Sequence, residues 1–429
     1  MSSIETMSQR SMAAVILVLI TFLAISVITN ILGPLLPLIK QDFNINNTVA
    51  GLFPLFFFIA YGVVSIPAGI FTEKFGGKKT MALACVLSAL GALAFALAPS
   101  MSMALMSLFF IGCAMAFLQV VINPLLRISG GEEHYAFFST AAQMIFAIGG
   151  MLTPQINAYF VHSLKVNDES SLVVKLLGDV VPAAMPWISM YWMFAVISMV
   201  LLFAVFIIKL PSVELNEDEK VGGIGLCLSL LKDKTVLLFF LGIACYVGAE
   251  QGIAASMLIF LEEYHDVDPL TVGANTMSAF WAAMAVGCLL GLALLKVMDT
   301  RKVLMIFVAG AMVSYLFALY TPTSISLLAY TASGFFLSVM FPAIMSLGLN
   351  SVRAHHGSVA GILCSGIAGG AVVPVIVGFI ADTSGDFRLG ALFVLVPLAY
   401  MFSIGLWAKP LITNKTMSLG HKSDRLAGV

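Results

Sequence analysis

Apolar residues run in long blocks along almost the whole chain, and a few polar or charged residues separate each block from the next. A helix rises 1.5 Å per residue, so about 20 residues cross the ~30 Å hydrocarbon core of a bilayer. Blocks of this length predict membrane-spanning helices. Twelve are counted, over about 12–38, 49–71, 81–98, 103–127, 136–161, 186–210, 235–261, 271–298, 303–320, 324–349, 357–380 and 388–408. The longest central break carries Glu214, Glu217, Asp218, Glu219 and Lys220 and divides six spans from six. The expected organisation is a six-helix bundle over 1–210, a cytoplasmic linker over 211–234, a second six-helix bundle over 235–410 and a cytoplasmic tail over 411–429. Within the linker, 221–234 is mildly amphipathic, as suits a segment lying on the membrane surface. Residues 1–11 are short and polar, and the apolar stretch after them is too long for a cleaved signal peptide. It reads as an uncleaved first span.

A longer pattern lies over the blocks. Leu118-Gln119-Val120-Val121-Ile122-Asn123-Pro124 leads on to Gly149-Gly150 and Pro154, and Ser338-Val339-Met340-Phe341-Pro342 leads on to Gly369-Gly370 and Pro374. Pro124 and Pro342 are 218 positions apart, Pro154 and Pro374 220. A near-constant offset at two landmarks predicts a tandem duplication of half the chain. In a membrane protein this puts the site between the two halves.

Charge orients the bundle. With both termini cytoplasmic, the inner side holds 17 of the 21 Lys and Arg, leaving Lys40, Lys165, Lys175 and Arg388 outside. That is the positive-inside asymmetry. Composition agrees with a membrane protein: 60% of residues are hydrophobic and 10% charged, against about 25% charged in soluble domains. A net charge of -1 and the absence of a basic tract interleaved with aromatics give no sign of nucleic acid. Cys85, Cys113, Cys227, Cys245, Cys288 and Cys364 form no CxxC pair, and most lie in apolar runs, where buried thiols are expected rather than disulfides or a metal site. The acidic hairpin of Glu262, Glu263, Asp266 and Asp268 reads as a solvated loop, with cation attraction as the lesser alternative. No phosphate-cradling loop, catalytic triad or ligand cluster is visible. An enzyme is not expected, nor a resident cofactor.

Between spans 2 and 3 runs Gly69-Ile70-Phe71-Thr72-Glu73-Lys74-Phe75-Gly76-Gly77-Lys78-Lys79. It resembles the G-x-x-x-D-R-x-G-R-R loop of the major facilitator superfamily, with Glu for Asp and Lys for Arg. An acid at a helix end can hold a neighbouring helix N-terminus or a cation, and Arg127 at the inner end of span 4 is a candidate partner. Gly69, Glu73, Lys74, Gly76 and Arg127 form the expected gating set; the alternative is an ordinary basic hairpin. Gln119 before Asn123-Pro124, Tyr246-Val247-Gly248-Ala249-Glu250, and Phe341-Pro342-Ala343-Ile344-Met345-Ser346-Leu347-Gly348 resemble the fucose–galactose–glucose symporter family of that superfamily. The matches run from Pro34-Leu35-Leu36-Pro37 to Gly378-Phe379-Ile380-Ala381-Asp382. The resemblance implies the major facilitator fold and a monosaccharide moved with a cation. The chain departs from it at three points. Proton-coupled members carry an Asp where this chain has Asn30. Fucose-type members carry an acid where it has Gln119, although glucose/galactose-type members share the Gln. Fucose-type members also carry an Asn where it has Phe146.

Glu250 is then the one acid placed deep in a span, 220 positions after Asn30. A charged carboxylate at mid-membrane costs roughly 2.5–3.5 kcal/mol on insertion scales. Protonation or a bound cation would relieve that cost. Glu250 is expected to couple transport to Na⁺ or H⁺, with Asn30 as a second oxygen ligand across the pseudo-two-fold axis. The alternative is a protonated Glu hydrogen-bonded between helices. Gln119, Asn123, Gln143, Gln251 and Asn275 are candidate sugar ligands, and Tyr61, Phe146, Tyr246 and Trp281 candidate aromatic walls. For each, interhelical hydrogen bonding or plain packing is the competing reading. The expectation is an all-α, twelve-helix, monomeric transporter of the plasma membrane (the inner membrane in a Gram-negative bacterium). It takes up a small sugar such as glucose or galactose with Na⁺ or H⁺. An uncoupled facilitator, an exporter of amphipathic compounds and a non-transporting receptor are the alternatives.

Overall fold

The computed structural model describes residues 11–130, 135–166, 171–210 and 223–411. They form twelve long apolar helices: α1 Met12–Asp42, α2 Asn47–Phe75, α3 Gly77–Leu97, α4 Met101–Gly130, α5 Tyr135–Lys165, α6 Pro186–Ile207, α7 Lys234–His265, α8 Val272–Val297, α9 Thr300–Tyr320, α10 Thr323–Leu349, α11 His356–Ser384 and α12 Phe387–Trp407. Each matches an apolar block. Several run a few residues beyond it, because a helix continues past the hydrocarbon boundary until a cap or a glycine stops it. Asp233 starts α7 by accepting the Thr235 and Val236 N–H groups. Asp299 starts α9 in the same way and also takes the Arg301 guanidinium at 3.0 and 3.1 Å, which holds its carboxyl below the usual carboxylate range. Gly76 ends α2 at φ 84°, in the left-handed region that favours glycine.

The first half of the expected linker, 211–222, falls outside the described residues, as does the tail beyond residue 411. The described part of the linker contains a short helix, Ile224–Leu230, with Cys227 buried. A second short helix, Leu172–Val180, lies where the sequence reading leaves a loop between α5 and α6.

The duplication is visible in the packing. A Cβ on Gly112 of α4 would stand 2.2 Å from the Phe57 carbonyl oxygen of α2, and a Cβ on Gly334 of α10 would stand 2.2 Å from the Phe280 carbonyl oxygen of α8. Only a bare backbone permits crossings that close. α3 packs on α4 and α6, and its counterpart α9 packs on α10 and α12. The halves meet where α5 faces α8, α2 faces α11 and α1 faces α7. Two six-helix bundles thus share one seam.

Prolines interrupt the helices that border it. α1 breaks at Ile31, three residues before Pro34, and α10 breaks at Ser338–Val339, just before Pro342. A proline has no N–H for the carbonyl four residues earlier, so each break frees a backbone oxygen.

Candidate functional site: a cavity at the seam

A cavity of about 900 Å³, counting the open space at its mouth, lies between the bundles. Its walls come from α1, α2, α4 and α5 of the first bundle and α7, α8, α10 and α11 of the second. None of its lining residues belongs to α3, α6, α9 or α12.

Among the described residues, Glu250 is the one acid in the lining, and no Lys, Arg or His lines the cavity. It is buried, sixteen residues into α7 (250 − 234), about 24 Å from the face that carries the chain ends. One turn earlier on the same helix, Tyr246 also lines the cavity, within electrostatic reach of the carboxyl. Gln251 lines the cavity beside it. From the first bundle come Gln119 and Gln143. Gln143 is exposed and stands eight residues into α5 (143 − 135), about 12 Å from the same face. Tyr61 joins Phe58 in a stacked pair at 6.2 Å, and Tyr246 tilts against Phe341 at 5.8 Å. The site is therefore one carboxyl, three primary amides and two aromatic pairs, which can hydrogen-bond hydroxyl groups and cover the apolar face of a ring.

Other sequence candidates lie elsewhere. Asn275 is not in the cavity wall. Its Oδ1 accepts from Gln155 Nε2 at 2.9 Å, a bond between bundles near the face opposite the chain ends. Trp281 is buried beside the cavity and meets Phe146 edge-on at 6.5 Å, but does not line it. Asn30 does not line it either. Its Nδ2 donates to Ser26 Oγ on its own helix at 3.0 Å, while its buried Oδ1, the expected second oxygen ligand, has no hydrogen-bond partner among the described residues. Ser26 Oγ in turn donates to the Phe146 carbonyl. This Ser26–Asn30 pair sits 220 positions before the Tyr246–Glu250 pair, so the duplication relates the two pairs. Asn123 and Arg127 lie outside the residues whose side chains the structure describes. Sequence reasoning passed over Thr29, Met284, Cys288, Ser338, Phe341 and Ile367, which also line the cavity. The proline break in α10 was the signal that could have pointed to Ser338.

Away from the chain ends the seam is shut. Asp382, near the end of α11, accepts the Asn47 N–H at 3.1 Å, Asn47 Nδ2 at 2.9 Å, the Thr48 N–H at 2.7 Å and Thr48 Oγ1 at 2.5 Å. One carboxylate thus caps the N-terminus of α2 across the bundle boundary, where the helix dipole favours a negative charge. Backbones touch beneath it: a Cβ on Gly378 would stand 2.3 Å from the Asn47 oxygen, and one on Gly51 2.8 Å from the Val375 Cα.

At the other face, the loop between α2 and α3 behaves partly as expected. Gly69 is buried within α2, and Gly76 makes the turn. Lys74 lies over the Phe75 ring at 5.4 Å. Glu73 is within electrostatic reach of Cys227 in the linker helix. The tie that sequence reasoning missed comes from Lys78, whose Nζ donates to the Phe206 carbonyl at 3.0 Å and the Ile208 carbonyl at 3.4 Å, capping the C-terminus of α6.

The family model described as Major Facilitator Superfamily matches residues 17–365. A protein named glucose/galactose transporter from Brucella abortus is 30% identical over 416 residues, covering 94% of this chain and 96% of that one. The L-fucose-proton symporter of Escherichia coli is 24% identical over 402 residues, covering 91% of each. A crystal structure of the E. coli fucose:proton symporter superposes with a TM-score of 0.66 at 23% identity, covering 92% of this chain and 98% of that one.

Proposed function

The chain belongs to the major facilitator superfamily, and from that premise we propose that it takes up a small sugar, a hexose such as glucose or galactose, together with Na⁺ or H⁺. It is an integral membrane transport protein and not an enzyme. The observation that carries the proposal is the cavity at the seam: Glu250 as its one acid, with Gln119, Gln143 and Gln251 around it and aromatic rings on both sides. Amides match the donors and acceptors of sugar hydroxyls, and rings cover a pyranose face. The names borne by the Brucella and E. coli relatives point to the same solute class.

Transport would proceed by alternating access. The positive-inside asymmetry places the chain ends in the cytoplasm of a plasma-membrane protein. The seam closed by Asp382 and by Gln155–Asn275 then faces outward, and the cavity lies on the cytoplasmic side of that closure. Each ligand shifts the equilibrium between the two access states only by its difference in affinity for them. The carboxyl of Glu250 would hold the co-transported cation. The loop from Gly69 to Lys79 would steady the cytoplasmic ends, with Glu73, Lys74, Gly76 and Arg127 as its gating members. Asn123, Asn275, Trp281 and Asn30 would act around the cavity as packing or gate residues. The protein would work as a monomer, since one chain forms the whole cavity.

A second reading rests on the apolar share of the wall. Phe22, Ile25, Phe58, Phe146, Met284 and Phe341 would also suit an amphipathic cargo. One assay separates the two. In proteoliposomes, labelled glucose and galactose accumulate under an imposed Na⁺ or pH gradient. Absence of accumulation under both gradients, with a lipophilic dye moving instead, would overturn the sugar reading.

A further inference from the structure

Glu250 is not alone in offering oxygen to the cavity. Ser338, where α10 breaks, lines the same cavity. Its carbonyl would ordinarily accept the N–H four residues on, but that residue is Pro342, which has none. The donor that reaches it is the Cys288 thiol of α8, with Sγ at 3.5 Å. A thiol is a weak donor, so the oxygen keeps most of its capacity to bind. Cys288 is itself within electrostatic reach of Glu250. α8 can approach this break because Gly287 has no side chain: a Cβ there would stand 2.4 Å from Ser338 Oγ. The cavity is thus lined by a carboxyl-bearing residue at mid-helix in α7, by Tyr246 one turn before it, and by a residue of α10 whose carbonyl a proline has released, with Cys288 between the two helices.

We infer that the Glu250 carboxylate and the Ser338 carbonyl oxygen together bind Na⁺, with the Cys288 thiol holding the carbonyl's place when the cation is absent. Hard monovalent and divalent cations are held by oxygen atoms, carboxylate and carbonyl above all. In membrane transporters, carbonyls of interrupted helices are a recurring source of them. A proton would need Glu250 alone and would leave the Ser338 carbonyl without a role. The inference rests on the reading of this cavity as the solute and cation site. It takes the second ligand from the second bundle and not from Asn30, which does not line the cavity. Both ligands then come from α7 and α10, so binding would fix the distance between these helices within one bundle.

The test is thermal unfolding of the purified protein in NaCl, KCl and choline chloride at equal ionic strength, with and without galactose. A ligand that binds the native state raises its midpoint. NaCl is expected to raise it and the other salts not to. Glu250→Gln should abolish the rise. Pro342→Ala restores an N–H that can occupy the Ser338 carbonyl, and should weaken Na⁺ at least about tenfold. Should that variant fail to fold, Cys288→Ala serves instead: removing the competing thiol donor should tighten Na⁺ by about threefold, the worth of one weak hydrogen bond. The inference is overturned by equal midpoints in all three salts, by a Na⁺ effect that survives Glu250→Gln, or by unchanged Na⁺ affinity in both Pro342→Ala and Cys288→Ala. A galactose-induced rise that persists without any Na⁺ effect would remove the cation site and leave the sugar reading standing. Loss of the galactose response with the Na⁺ response intact would do the reverse.

Discussion

Glu250 and the amides around it set the chemistry at the scale of single residues. In Glu250→Gln the cavity keeps its shape and loses its carboxyl, so uptake against a gradient should fall to simple equilibration while sugar exchange across the membrane continues. Counterflow measured beside gradient-driven uptake checks this, and undiminished accumulation would remove Glu250 from coupling. Gln143→Ala should raise the KM for sugar by up to about tenfold, which is ~1.4 kcal/mol and the upper end of what one neutral hydrogen bond contributes. Trp281→Phe should change KM little, because Trp281 packs beside the cavity and not in its wall. Gln119, Gln143, Gln251, Tyr61, Tyr246 and Glu250 were legible in the sequence because a polar atom deep in an apolar run must have a partner or a use. Ser338, Cys288 and Phe341 were not. A serine, a cysteine or a phenylalanine in such a run looks the same whether it faces lipid, core or cavity, and only the rotation of the helix decides. Asn275 shows the converse error. Its polarity was read correctly, but it serves a bond between bundles.

Among elements, the contact of α2 with α11 governs which face is shut. Asp382 makes four bonds to the first turn of α2. Charge-assisted bonds are worth about 1.5–3 kcal/mol each to a well-formed pair. Asp382→Ala should therefore shift the access equilibrium at least about tenfold towards opening at the outer face. Reaction of Val375→Cys, which adds no bulk to the α2–α11 contact, with an impermeant maleimide reports the opening, and an unchanged rate would show that the small-residue contacts suffice without the carboxylate. The α2–α3 loop was legible as a basic hairpin of family type. Its bond from Lys78 to the end of α6 was not, since the partners are more than a hundred residues apart in sequence.

At the scale of the whole molecule, the duplication predicts paired consequences. Gly112→Ala and Gly334→Ala each place a Cβ 2.2 Å from a facing carbonyl oxygen. Both should lower the thermal midpoint by similar amounts, because each separates the same pair of helices in its own bundle. Overpacking of this kind costs about 1–3 kcal/mol. Orientation is checked by fusing a reporter to the C-terminus: fluorescence from a cytoplasmic protein is expected, and activity of a periplasmic phosphatase would reverse the assignment.

Hydropathy and charge operate over tens of residues, so the sequence alone determined twelve spans, their grouping six and six, the repeat, and the bias of basic residues to one side. Those quantities are sums, and local errors average out. The place of Glu250 and Tyr246 in the cavity wall, the approach of the Cys288 thiol to the Ser338 carbonyl and the closure of one face by Asp382 depend on helix rotation and on ångström-scale approach. Residues distant in the chain settle these, through glycines and prolines whose effect appears only when two helices meet.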